Sequence, residues 1–244
     1  MDLLKHRDVS AVTDDGYFQH TWPVYRCLYC EVDEGNETFI LTAGRWYKVA
    51  TDFVEKVNLS FRNIDKVDLK LPEFDDETEE AYNRRVSSND PTRLTFLDRK
   101  LVMFGGGASR FEFCDLVSSD CDLIHVKRYA GSNVLSHLFN QGVTAGELYV
   151  SDAAFRQLVD PLLPTHLRLE DFTQRPNTSN YRVVFAIVSA EKGDSLTLPF
   201  FSRLSLRQAV RALRGYGYRV GIAKVSVADT RVKLKRFAKK KKKN

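Results

Sequence analysis

The 244-residue chain is 43% hydrophobic and 11% aromatic, enough for one large domain or two small ones around a sizeable buried core. No apolar run approaches the length of a membrane span, and the start, MDLLKHRDVS, lacks the apolar region of a signal peptide, so a cytoplasmic protein is expected. The formal charge of +5 averages two unlike parts: residues 231–244 hold nine Lys or Arg and no acid, which leaves 28 basic against 32 acidic residues, a net of −4, in the rest.

Residues 1–20 are polar and mixed. Trp22 to Val32 reads as a strand, and the turn Asp33–Asn36 leads to a second, Thr38 to Leu41, as a hairpin. Cys27 and Cys30 have the C-x-x-C spacing of zinc ligands. On a strand, however, residues three apart face opposite sides, and Cys114 and Cys121 are too widely spaced to complete a site. Core thiols are expected, with neither zinc nor disulfides. Gly44 marks a turn and Arg45 to Val49 a short strand, in which Trp46 and Tyr47 read as packing residues rather than base-stacking ones. Thr51 caps a helix from Asp52 to about Ile64, whose Phe53, Val54, Val57, Phe61 and Ile64 recur at helical spacing. Leu71–Pro72 closes this first region, 1–72.

Asp75 to Ser88 begins with acids and ends with Arg84 and Arg85, the order a helix dipole favours. In it Glu80 and Arg84 are spaced for a plain surface pair. Asn89 to Pro91 is a loop. Leu94–Leu97 and Lys100–Phe104 are apolar strands around LDRK, and Gly105, Gly106 and Gly107 form a turn. No helix with Lys and Ser/Thr follows, so the glycines are not a phosphate loop.

The next stretch carries the chemistry. Phe111 to Val117 is a strand holding Glu112 and Asp115, and Ser118 to Asp120 is a turn. Leu123 to Tyr129 is a second strand with His125 and Lys127 two apart, hence on one face. Gly131 and Ser132 open a helix from Asn133 to Phe139, Gly146 breaks it, and Leu148 to Val150 is a third strand. If the first two strands are neighbours, acids and an ammonium converge at one end of a sheet. Metal-dependent phosphodiester cleavage needs such a group: acidic oxygens for a hard divalent cation and a lysine to stabilise developing charge. An Asp and a Lys on two apolar strands also make an ordinary salt bridge, the competing reading.

The order Asp115, then His125-x-Lys127, then KRY, a helix and LYVSDAAF resembles the PD-(D/E)xK nuclease core, and in particular its Mrr-type restriction branch. The resemblance implies a nuclease-like core over residues 73–163 that uses Mg2+ or Mn2+. Asp115 would hold the metal with Glu112 or with a glutamate of the preceding helix, Glu79 or Glu80. Lys127 would position the attacking water, and Ser136 and Gln141 would be polar groups on the helix that follows. The sequence departs from the pattern at His125, where that family has Glu or Gln. A neutral imidazole is a softer ligand and brings no charge. Three outcomes stay open: an active variant, a metal held instead by Glu112 and Asp115, or a site that only binds.

Asp152 to Leu163 is a helix, bounded by Pro161 and Pro164. Residues 164–230 then read as strand, strand, helix, strand: Tyr181–Ser189, Ser195–Phe201, Leu204–Arg214 and Tyr218–Val227. Ser205 caps the helix. Arg207, Arg211 and Arg214 make either a basic stripe for a nucleic-acid backbone or a solvated face, and Arg128 adds a further cation. The 231–244 tail cannot fold by itself and suits phosphate contacts weakened by salt, or simple solubility. The segment LPFFSRLSLRQAVRALRGYGYRV, with the earlier G-R-W-Y strand and D-F-V helix, resembles a sporadically distributed, poorly characterised prokaryotic family. That resemblance implies a nuclease-like core and an association with mobile elements or phage defence. The expected fold is α/β (α+β), a mixed sheet flanked by helices. The expected function is metal-dependent hydrolysis of DNA, less readily RNA. The alternative is a non-catalytic nucleic-acid-binding or regulatory module, and a homodimer is compatible with either.

Overall fold

The computed structural model describes residues 2–35, 37–100, 102–104, 109–193 and 195–228. The glycine turn 105–107 and the basic tail 231–244 lie outside the described residues. The chain forms two compact units, 1–62 and 63–244.

The first unit holds a short helix α1 (Asp2–Lys5), a hairpin of β1 (Asp8–Val12) and β2 (Phe18–Pro23), and a one-turn helix α2 (Val24–Cys27). A three-stranded antiparallel sheet follows, from β3 (Cys30–Glu34), β4 (Glu37–Thr42) and β5 (Arg45–Lys48), and then helix α3 (Thr51–Arg62). Ile40 and Leu41 of β4 and Val54 and Val57 of α3 are buried, whereas Phe53, expected on the same apolar face, is exposed and Phe61 half-buried. The continuous strand expected over Trp22–Val32 is interrupted. Pro23 has no N–H to continue the β1–β2 ladder and instead precedes α2. Cys27 and Cys30 are exposed rather than core, whereas Cys114 is buried. Trp46 and Tyr47 are also exposed, 45% and 49%, so packing does not account for them.

The second unit is built on a six-stranded mixed sheet. In chain order its elements are β6 (Asp65–Lys66), α4 (Glu79–Asn89), β7 (Leu94–Phe96), β8 (Val102–Phe104), β9 (Ser109–Phe111), β10 (Leu116–Ser118) and β11 (Asp122–Arg128). There follow α5 (Ser132–Ser151), α6 (Ala153–Val159), β12 (Arg182–Ser189), α7 (Phe200–Gly215) and β13 (Arg219–Ser226). The order across the sheet is β6-β13-β12-β11-β10-β7. β11, β12, β13 and β6 run parallel, while β10 and β7 are antiparallel to their neighbours. β8 and β9 form a separate hairpin. One face of the sheet (Ile124, Val126, Val184, Ala186, Val225) packs on Tyr82 and Val86 of α4. The opposite face, with Leu123, His125, Val183 and Phe185, lies under α5; Phe139 meets Phe185 edge-on at 5.1 Å. Central parallel strands buried on both faces read as the continuous apolar run seen in RVVFAIVS. Among the described residues no helix is long and apolar enough to cross a membrane.

Three expectations are corrected here. The helix expected to stop at Gly146 runs on as α5 for 20 residues, and Leu148–Val150 is helical. The glycines mark close packing, not an end: a Cβ at Gly142 would lie 2.6 Å from the Phe185 ring, and one at Gly146 2.8 Å from Leu213. An apolar triplet such as LYV fits strand or helix equally until its surroundings decide. Secondly, Phe111–Val117 is not one strand. It divides into β9 and β10, because the carbonyl of Asp115 accepts the N–H groups of both Leu97 and Asp98, at 2.9 Å each, and bends the chain into the main sheet. Thirdly, Ser195–Phe201 is not a strand. α7 begins at Phe200 directly after Pro199, so Ser205 is internal to the helix and not its cap.

Candidate functional site

The site forms where β11 outruns its neighbour. β10 pairs with it only at Leu116–Ile124 and Val117–Leu123, so beyond that point the edge of β11 facing β10 has no strand partner. Buried backbone N–H groups need acceptors, and two carboxylates provide them. Asp115 Oδ2 accepts from Val126 N at 2.5 Å, and Glu79 Oε1 accepts from Arg128 N at 2.9 Å. The second oxygen of Glu79 receives the Lys127 ammonium at 2.7 Å. Glu79 is the first residue of α4, held there by the Thr78 cap, whose hydroxyl accepts from Ala81 N. The helix start thus delivers a carboxylate to the end of the strand.

Two more acids join Asp115. The turn after β7 brings in Asp98, whose N–H is bonded to the Asp115 carbonyl and whose Oδ2 accepts from the Asn83 amide at 2.9 Å. Glu112 accepts from Arg99 N at 3.2 Å, and Arg99 itself sits in the left-handed region at φ 58°. Ligand oxygens of Asp98, Glu112 and Asp115 all lie within 4.8 Å of one another. These acids sit in a polar cavity of about 300 Å³, which is also lined by Thr78, Glu79, Glu80, Arg99, Val126, Lys127 and Gln141.

Electrostatics follow from the crowding. Burial, reinforced by the charges of Asp98, Glu112 and Glu79, pushes the Asp115 carboxyl up to about 8 against the opposing pull of the Val126 N–H. Burial also raises Glu112, with Asp98 adding to it and Arg99 and Lys127 opposing. Like charges held this close resist simultaneous ionisation unless a cation joins them. An all-oxygen donor set of three carboxylates fits a hard divalent ion such as Mg2+, Mn2+ or Ca2+.

The residues expected from sequence divide clearly. Asp115, Glu112, Lys127, Gln141 and Glu80 line the one cavity. Glu80 is held by Arg84 at 3.1 Å and Arg99 at 2.8 Å, which places it among guanidinium groups and not in the three-acid cluster. His125 does not line the cavity. It is buried under α5 with its ring 5.9 Å from Phe185, and burial holds it down at about 4, so it is neutral. Ser136 bonds the Ser132 carbonyl and the Ser205 hydroxyl, tying α5 to α7 away from the acids. Arg128 is exposed at the end of β11, 3.9 Å from Asp76. Arg207 is half-buried and Arg211 exposed on α7, and no residue of that helix lines the cavity.

Asp98 and Asn83 were not singled out from the sequence. The available signal was an acid inside the apolar frame LTFLDRKL, where an exposed turn needs none. A second hollow, about 570 Å³, lies at the far edge of the sheet beside Lys66, Val67 and Ile222. Its Lys224 is engaged by the carbonyls of Glu191 and Ser195 at 2.8 and 3.1 Å, a role in holding a loop.

A family model described as a family of unknown function (DUF6119) matches residues 1–226. No curated protein and no solved structure matches the chain.

Proposed function

The chain belongs to the family of unknown function DUF6119, and from that premise we propose that it is a divalent-cation-dependent phosphodiesterase acting on nucleic acid, DNA before RNA. The observation that carries this reading is the three-carboxylate cluster of Asp98, Glu112 and Asp115 in one cavity with Lys127. Such a cavity suits an anionic substrate only when a cation is present, since carboxylates alone repel phosphate.

Bound there, Mg2+ or Mn2+ would supply Lewis acidity toward a phosphoryl oxygen and toward water. The protein's own groups do the rest. Asp98, Glu112 and Asp115 would hold the ion. Lys127 presents an ammonium at the cavity wall, where negative charge develops during attack on phosphorus. Glu79 fixes that ammonium in place, and Gln141 offers a neutral donor and acceptor from α5. The cavity opens at the carboxyl end of a parallel strand, the end outside which open α/β sheets tend to bind ligands. The order α4, β7, β10, β11, α5, β12, with Asp115 immediately before β10 and Lys127 on β11, supports likeness to the PD-(D/E)xK nucleases. So does a glutamate supplied by the preceding helix. Exposed Arg99 and Arg128 flank the acids and suit a polynucleotide backbone. A role in phage defence or on mobile elements fits a nuclease of this kind.

Incubating plasmid, linear duplex, single strands and RNA with Mg2+, Mn2+ or EDTA tests the reading. Cleavage that needs the ion and is lost in Asp115→Ala is the expected result; cleavage surviving in both EDTA and that variant defeats it. The pairing of Lys127 with Glu79 favours a second reading, a nucleic-acid-binding module without turnover. Its signature is salt-sensitive binding with no cleavage under any of these ions.

A further inference from the structure

We infer that Asp98, oriented by the buried Asn83, supplies the carboxylate that β11 lacks, making a third ligand for a divalent cation from outside the strand pair. The inference rests on reading the cavity as a cation site and names which side chains make it one. Two residues before Lys127 the strand carries His125, whose ring lies 5.9 Å from that of Phe185 beside Gly142 and does not line the cavity. Glu79 and Glu80 line it but are engaged, Glu79 by Lys127 and the Arg128 N–H, Glu80 by Arg84 and Arg99. Asp98 is different. Its backbone N–H is bonded to the Asp115 carbonyl, which holds the two acids side by side, and its carboxylate sits among those of Glu112 and Asp115.

Asn83 gives the independent sign. It is 1% exposed, on the inner side of α4, and its carboxamide is turned onto the cluster with Nδ2 on Asp98. The Oδ1 of that same planar group is buried and accepts no hydrogen bond in the structure. A buried acceptor without a donor costs free energy. The neighbouring carboxylates cannot donate to it once ionised, whereas water brought in by a hydrated divalent ion can. Asn83 therefore acts as a positioning residue, aiming Asp98 at the ion and offering the water an acceptor.

Titration of the full chain with Mn2+ alone, following free Mn2+ by electron paramagnetic resonance, tests this without any turnover. The wild type is expected to bind Mn2+. Asp98→Asn should weaken binding at least tenfold, and Asn83→Ala about tenfold, the scale of lost outer-shell partners. Asp120→Asn, an exposed turn acid, should leave it unchanged. A wild type that takes up no Mn2+ at millimolar concentration overturns the cation reading itself. A wild type that binds, with Asp98→Asn binding equally well and Glu80→Gln weakened tenfold, overturns this inference and leaves that reading standing. Should Asp98→Asn fail to fold by circular dichroism, Asn83→Ala decides alone: unaltered Mn2+ affinity refutes the assignment.

Discussion

Asp122 and Asp115 stand at opposite ends of the β10–β11 pairing, and both carboxylates are largely withdrawn from water. Asp122 is 3% exposed and meets the Arg182 guanidinium through two hydrogen bonds, 2.7 and 3.1 Å, the fork-on-fork match that best offsets the cost of burying a charge. Asp115 has a single backbone N–H and, around it, Asp98, Glu112 and Glu79. One end of the strand pair has been neutralised; at the other, Asp98, Glu112 and Asp115 crowd together, and Asp115 has no arginine bonded to it as Asp122 has. A buried acid with its own arginine holds the sheet together. A half-buried acid among acids is held at a cost to the fold, a pattern common at functional sites.

Substitutions at the two ends should behave differently. The largest expected effect is on chemistry: Lys127→Ala should lower metal-dependent cleavage by about 10²–10³-fold, the scale of losing one charge-stabilising donor, with little change in melting temperature. Next is Asp122→Ala, which strands Arg182. Fully buried pairs cost about 3–5 kcal/mol when broken, and because the Arg182 side chain is 26% exposed we expect about 2 kcal/mol by urea denaturation, with Mn2+ binding intact.

Asp115→Asn should do the opposite. The Asp115 carboxyl titrates at about 8 folded, above its unfolded value, so the native state holds the extra proton and stability falls as pH rises through that window. At pH 8 without cation the variant should therefore be the more stable, by at least about 1 kcal/mol, one pKa unit being worth about 1.4 kcal/mol. The gap should narrow as pH falls and close only below the unfolded value, near pH 4. Equal destabilisation by Asp122→Ala and Asp115→Asn at pH 8 would show that the two acids are not different in kind. The smallest effect is at acid pH. His125 is held down at about 4, so its contribution is full above its unfolded value and is lost as pH falls toward 4. His125→Leu should flatten that limb, by no more than about 1.4 kcal/mol per pH unit.

Much of the second unit is legible locally. The stretch 75–88 marks α4, although the helix starts only at Glu79 and carries no base in its last turn; the apolar run of RVVFAIVS marks a central strand, and the period-2 spacing of His125 and Lys127 gives them one face of β11. That shared face still separates them. Lys127 reaches the cavity wall, while His125, one repeat earlier, lies under α5 where Gly142 lets the helix come close. The interruption between β9 and β10 left no sequence mark, because the bend is made by two N–H groups from residues 97 and 98.

By itself the sequence determined the fold class, most of the strands around the cavity, and three residues of its lining, Glu112, Asp115 and Lys127, because hydrophobic periodicity and capping are local properties of a chain. Tertiary structure alone decided the rest. Asn83 finds Asp98 fifteen residues on, and Glu79 finds Lys127 across forty-eight. Those partnerships are set by which N–H groups a sheet edge leaves unsatisfied and which helix end packs beside it. That outcome depends on how α4, β10 and β11 dock, and no stretch of residues read singly contains it.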